Sequence, residues 1–294
     1  MTEKYIEFRK QREFSSLLSD TFTFVRNEFK SFIKIVFTVA GPSFVAFIIA
    51  MAFYTYTAGD VFTFDVTSPN PTGFKNPFLI IISAMFYLIT AVLAYVFAGS
   101  AVLHYIKSYI ENKGEVSLAE VKQNTYNTFW GFLGVSFLKG LIIVISLVMC
   151  VFPVLYAMVP MTIVLCIYVF NSKSDVMDSF GQSFSLVKED FWTIFGAIII
   201  FGIILYILSL IFAVPTIIYT YIKMGIFSGE FDPVNMSSFV DPIYIILNIL
   251  STLFQFLLNL ILVVASAFMY FHLNEKRNFT GTYDRINQIG NTEE

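Results

Sequence analysis

Five stretches of the chain, residues 35–59, 76–106, 140–172, 191–222 and 242–274, run without a single Asp, Glu, Lys or Arg. A helix needs roughly 20 apolar residues to cross the ~30 Å hydrocarbon core of a bilayer. Four of the stretches each predict one span. The stretch 140–172 holds Pro153 and Pro160 and is long for one crossing but short for two. With residues 129–138 added, it predicts two helices around a turn at 153–160, because the residue before a proline is biased away from helix.

The polar positions between the stretches set the orientation. Cytoplasmic flanks are enriched in Lys and Arg. With six spans and an inner N-terminus, the outer loops hold only Lys75 and Lys223, Lys139 falls within a span, and every other basic residue lies inside. Five spans divide the charge far less cleanly. Trp130 and Trp192 then mark the inner boundary, and Tyr54, Tyr56, Tyr219, Tyr221 and Tyr244 the outer one. The expectation is a multi-pass membrane protein with both termini cytoplasmic. It forms a single membrane domain over 1–294: an amphipathic N-terminal segment (1–30), a six-span bundle (31–272) and a cytoplasmic tail (273–294). The opening mixed-charge residues do not read as a signal peptide.

Composition agrees. The 294 residues are 57% hydrophobic and 13% charged, where a soluble domain carries about 25% charged residues. Mean hydropathy is +0.74. A net charge of −3 offers no basic face to a nucleic acid. Cys150 and Cys166, both in apolar sequence, read as core or lipid-facing residues.

The chain also repeats itself. Residues 21–34 read TFTFVRNEFKSFIK and residues 183–196 read SFSLVKEDFWTIFG, each directly before a span; 121–134, VKQNTYNTFWGFLG, is a weaker third copy aligned on its Phe-Trp. Phe14, Leu18, Val25, Phe29 and Phe32 share a helical face, as do Val176, Phe180, Phe184, Val187 and Phe191. Ser117 and Glu120 form a capping box ahead of the middle copy. The predicted fold is an all-α integral membrane bundle of six transmembrane helices in three hairpins, each preceded by a cytoplasmic-side amphipathic interfacial helix. Such helices position the spans or form a collar for lipid or partners.

The segment SFSLVKEDFWTIFG, together with Tyr270-Phe-His-Leu-Asn-Glu-Lys-Arg, Gly281 and Arg285-Ile-Asn-Gln-Ile-Gly, resembles the glycerophosphoryl diester phosphodiesterase membrane-domain family. The likeness covers most of the chain in layout but few residues in motif. The catalytic barrel of fused members has no counterpart here, so the resemblance implies no catalytic residue. Similar stand-alone proteins often lie genomically beside MoxR-type ATPases and sporulation stage II protein M-like proteins, which implies a membrane complex.

Lys139 is the one charge inside a span, and either snorkels or serves a substrate or ion. Asn248, Thr252, Gln255 and Asn259 share one face of the last span, continued by Ser266, as a packing seam or a cavity wall. Thr90, Ala94, Ala98 and Ala101 make a small-residue surface on the second span, against which the last span is expected to pack. His104 and His272 read as interfacial hydrogen-bonding residues, and loop acids Asp60, Asp65, Glu230, Asp232 and Asp241 as solvated surface. No nucleotide loop, hydrolase triad or metal-ligand set is visible, so neither catalytic residue, metal nor cofactor is expected. The sequence favours a non-enzymatic structural or assembly subunit of a membrane complex, in contact with lipids and other membrane proteins. A transporter or flippase-like module for a lipid or small amphiphile is the alternative.

Overall fold

The computed structural model describes residues 5–58, 77–171, 175–223, 240–283 and 286, and all regular structure among them is helical. Eight helices follow in order: α1 (Phe14–Ala58), α2 (Pro77–Glu111), α3 (Leu118–Asn127), α4 (Phe129–Met149), α5 (Val151–Phe170), α6 (Val176–Val187), α7 (Phe191–Lys223) and α8 (Pro242–Asn278). Six of them, α1, α2, α4, α5, α7 and α8, are long and apolar enough to cross a membrane.

Two boundaries differ from expectation. The turn in the third apolar stretch falls at Cys150, whose backbone is fully extended, and not at 153–160. Pro153 instead sits in the first turn of α5, where a missing N–H costs nothing, and Pro160 is accommodated inside the helix. Residues 14–30, the helical part of the expected amphipathic N-terminal segment (1–30), continue without a break into the first span as α1. Their polar residues Arg26, Asn27 and Glu28 include neither Gly nor Pro to stop the helix.

The capping box forms by half. Ser117 Oγ accepts the Glu120 N–H at 3.5 Å, while the Glu120 carboxylate turns to Ser108 Oγ at 2.7 Å. Ser117 N–H donates to the same Ser108 hydroxyl at 3.4 Å. The preceding turn is closed by Gly114, at φ 110, whose N–H donates to Tyr109 O at 2.9 Å. Only glycine adopts that backbone without strain.

The chain divides into two compact units. Unit 1 comprises Met1–Val39, Val96–Ile203 and Leu260–Glu294; unit 2 comprises Ala40–Tyr95 and Ile204–Asn259. In α1 the boundary falls just before Pro42. Within unit 1, α5 packs on both α4 and α6. Its core is aromatic: Phe8 stacks on Phe268 at 4.2 Å and meets Phe24 edge-on at 5.1 Å, and Phe24 in turn meets Tyr109. Unit 2 is held by ring pairs, Phe212–Phe254 at 3.9 Å, Phe44–Phe256 at 4.6 Å and Tyr54–Tyr87 at 5.4 Å, and by a buried Thr57–Ser83 hydroxyl bond of 2.7 Å.

Candidate functional site

The residues singled out from sequence separate into sealed and open groups. Thr90, Ala94, Ala98 and Ala101 are all buried on α2. Thr90 satisfies its hydroxyl within its own helix, on Phe86 O at 2.9 Å and Tyr87 O at 3.0 Å. The polar face of α8 splits along its length. Asn248 and Thr252 are half-buried, Ser266 is buried against Cys166 Sγ at 3.3 Å, and Gln255 and Asn259 between them are exposed. Asn259 Nδ2 donates to Gln255 O at 2.9 Å, so one of these amides partly caps its own backbone. Their exposure turns that part of the face outward. Lys139 is half-buried on α4.

Of the loop acids, Asp60, Asp65, Glu230 and Asp232 lie outside the described residues. Asp241 is not idle surface. Its carboxylate caps α8 through the Tyr244 N–H at 2.9 Å, pairs with Lys223 at 2.9 Å and accepts the Tyr219 hydroxyl. The Tyr219 bond, then the Tyr244 N–H and Lys223, hold its pKa down at about 2.

A second polar site was not visible in the sequence. The chain before α1 runs into the interior of unit 1 and carries Arg12 with it, at 5% exposure. The guanidinium donates to Asp20 at 2.9 Å, to Phe8 O at 2.7 Å and to Glu7 O, and lies 4.6 Å above the ring of Phe268. The Arg12 N–H donates to His272 Nδ1 at 3.0 Å, across 260 positions of sequence. Acceptance at Nδ1 leaves the proton of a neutral ring on Nε2, which faces Asp190 Oδ2 at 3.7 Å. Asp190 also binds Lys276 at 2.6 Å. One turn of α8 from His272, the buried Glu275 gathers the following tail: Oε2 accepts Gly281 N–H at 2.6 Å and Oε1 accepts Thr282 N–H at 2.9 Å and its hydroxyl at 2.7 Å. Burial pushes the Glu275 carboxyl up, but those hydrogen bonds outweigh it and hold the group below its ordinary value.

The internal repeat supplied the one usable signal for this site. The residue directly before the aligned Phe is Glu28, Thr128 or Asp190 in the three copies. Each bonds a polar ring or cation late in a long helix: Glu28 accepts Tyr105 OH at 2.7 Å, Thr128 meets His104 Nε2 at 2.9 Å, and Asp190 takes Lys276 and His272. The repeated position is therefore a tie point, and both histidines of the chain are its partners. Its chemistry is that of a structural clamp, although His104 Nδ1 is buried without a hydrogen-bond partner among the described residues. Compared with family models, with curated proteins and with solved structures, the chain matches none.

Proposed function

We propose that this protein is a non-enzymatic subunit of a larger assembly in a bacterial cytoplasmic membrane, with both termini on the cytoplasmic side and its six long helices arranged as three hairpins. The observation that carries the reading is the exposed carboxamide pair, Gln255 and Asn259, in the middle of apolar α8. Polar side chains at membrane depth seek partners on neighbouring helices, worth about 0.6–2 kcal/mol each. Leu250 and Ile246, also exposed, lie on the opposite side of α8 and are apolar, as a lipid-facing surface requires. Exposed amides at that depth suit a helix of a second membrane protein better than lipid alone. The distribution of Lys and Arg supports the orientation. The family resemblance, with its MoxR-type and stage II protein M-like genomic neighbours, is consistent with a subunit role.

The test is native mass spectrometry of the protein extracted from its own membrane in a mild detergent. The expected result is a defined hetero-assembly that dissociates in the double variant Gln255→Leu/Asn259→Leu while the thermal midpoint of the chain is unchanged. A monodisperse wild-type monomer with no associated subunit overturns the proposal.

A further inference from the structure

Three helices of unit 1 exhaust their apolar sequence at one place. α2 passes from Ile106 to Lys107, α5 from Phe170 to Asn171, and α8 from Leu273 to Asn274. Around these ends lies a cavity of about 540 Å³. A neighbouring one of about 300 Å³ shares Asn171, Tyr270, Asn274 and Asn278 with it. The larger volume falls within the ~300–1,000 Å³ usual for small-ligand sites. The end of an apolar run is also the depth at which lipid headgroups sit.

The walls carry both signs of charge. Arg9 and the half-buried Lys107 supply positive charge, and the exposed Glu111 supplies negative charge. Three helices also finish here, α2 at Glu111, α5 at Phe170 and α8 at Asn278. A helix C-terminus presents carbonyl oxygens and a partial negative charge. Lys107 Nζ answers one of them, Val169 O, at 3.4 Å. A purely anionic ligand would face Glu111 and three sets of terminal carbonyls; a purely cationic one would face Arg9 and Lys107. A ligand that separates the two signs meets each with its opposite.

The remaining groups are arranged in advance. Asn278 Nδ2 donates to Asn274 Oδ1 at 2.7 Å, Asn274 Nδ2 to Thr280 Oγ1 at 3.1 Å, and Asn171 Nδ2 to Gln182 Oε1 at 2.9 Å. Their orientation costs little on binding because it is already fixed. Phe170 stacks on Tyr270 at 5.6 Å and gives the cavity an apolar side, suited to the stem of a headgroup.

We propose that this cavity binds a zwitterionic phosphate–ammonium headgroup of the phosphoethanolamine type. The phosphate meets Arg9 and Lys107, and the primary ammonium meets Glu111 and the helix-end carbonyls. A primary ammonium suits this end because it has three protons to donate to oxygens, which a quaternary ammonium lacks. The site lies apart from the α8 amide pair, and the isolated chain suffices to test it, so its failure leaves the assembly reading untouched.

The full chain, purified in detergent, is offered equimolar phosphatidylethanolamine, phosphatidylglycerol and phosphatidylcholine, and retained lipid is read by native mass spectrometry. Phosphatidylethanolamine is expected to be retained preferentially. Lys107→Ala and Glu111→Gln, both away from the buried cluster, should each lower its retention roughly tenfold, as loss of one charge-assisted hydrogen bond implies. Their thermal midpoints serve as the folding control, and Asn278→Ala is the second variant should either fail it. A parallel arm adds soluble phosphoethanolamine. Competition with the lipid confirms the shared chemistry; a raised midpoint with no lipid retained assigns the site to the free ester. Phosphatidylglycerol or phosphatidylcholine retained as well as phosphatidylethanolamine, or wild-type retention in both charge variants, overturns the proposal.

Discussion

The two units of this chain are built on different principles. Every one of its largest fully buried side chains, from Phe8, Leu17 and Phe24 through Tyr105 and Phe132 to Phe201 and Phe268, lies in unit 1. Unit 2 turns its bulk outward: Ile49, Phe53, Phe78, Ile81, Met85 and Tyr206 are all exposed. Unit 1 therefore has an interior like that of a water-soluble protein, with buried charges compensated group by group. Unit 2 relies on a few ring stacks, one buried hydroxyl pair, the part-exposed cluster of Asp241 with Lys223 and Tyr219, and whatever surrounds its apolar surface. In lipid there is no hydrophobic force between helices, because the acyl chains are as apolar as leucine. The difference teaches that stability in this protein is concentrated where polar groups are sealed, and substitutions should scale accordingly.

The largest effect is expected at Arg12. Arg12→Met leaves Asp20 with Lys10 alone, at 3.4 Å, and strips Phe8 O and Glu7 O of their donor. Each hydrogen bond to the charged guanidinium is worth about 1.5–3 kcal/mol, and several are lost together. Arg12→Lys should recover little, since a single ammonium cannot replace the fork. Thermal unfolding in detergent measures both, and a loss below 1 kcal/mol for Arg12→Met would show that the N-terminal segment is an appendage rather than part of the core.

Next comes Glu275. Glu275→Gln puts an amide donor where the carboxylate accepts from Gly281 or from Thr282, and hydrogen bonds to a charged group are worth about 1.5–3 kcal/mol. Because the folded carboxyl is held below its unfolded value of 4.5, its contribution is complete above that pH and fades as pH falls through the folded value. Wild type should lose thermal stability between neutrality and the acid limb more steeply than Glu275→Gln, and parallel pH curves would remove Glu275 from the account.

Two glycines sharpen the comparison within unit 1 itself. A Cβ at Gly281 would overlap the backbone oxygen of Arg9 and come within 2.9 Å of Arg9 Cβ, so the N-terminal segment would have to move. A Cβ at Gly131 meets only the hydroxyl end of Tyr168, which can swing aside. Gly281→Ala is expected to cost about 1–3 kcal/mol and Gly131→Ala well under ~1 kcal/mol. Equal thermal midpoints for the two variants would contradict the close approach of tail and N-terminal segment.

How much of this could be read from the sequence follows from the range of the interactions. The apolar runs specify the long helices, because length and the absence of charge are local properties. Helix breaks were read less well. Lys188, Glu189 and Asp190 form a turn where their counterparts Arg26, Asn27 and Glu28 stay helical, although neither triplet holds a breaker. The difference has to come from tertiary partners, with Asp190 drawn to Lys276 and Glu28 to Tyr105. The Arg12 cluster was illegible for the same reason. Its members lie 260 positions apart at the extreme, and a lone Arg in a charged leader looks like any solvated residue. For the polar stripe of α8, periodicity places four residues on one face but says nothing about which part of that face is covered.

The smallest expected effect lies in unit 2, and it separates the two principles most cleanly. Thr57 Oγ1 and Ser83 Oγ bond at 2.7 Å and both are buried, so this is the nearest thing unit 2 has to the sealed polar contacts of unit 1. Each hydroxyl also has a carbonyl of its own helix within reach, Thr57 that of Phe53 at 3.0 Å and Ser83 that of Ile80 at 2.9 Å, so one donates across the pair and the other to its own helix. If either partner is removed, the other still has a carbonyl of its own helix to donate to, so no buried hydroxyl is left bare. A double-mutant cycle of Thr57→Val and Ser83→Ala should therefore return a coupling of about 0.6 kcal/mol, the average for such bonds in membrane helices. A coupling near that of a buried ion pair, about 3 kcal/mol, would mean that unit 2 too depends on sealed polar contacts, and the contrast between the units would fail.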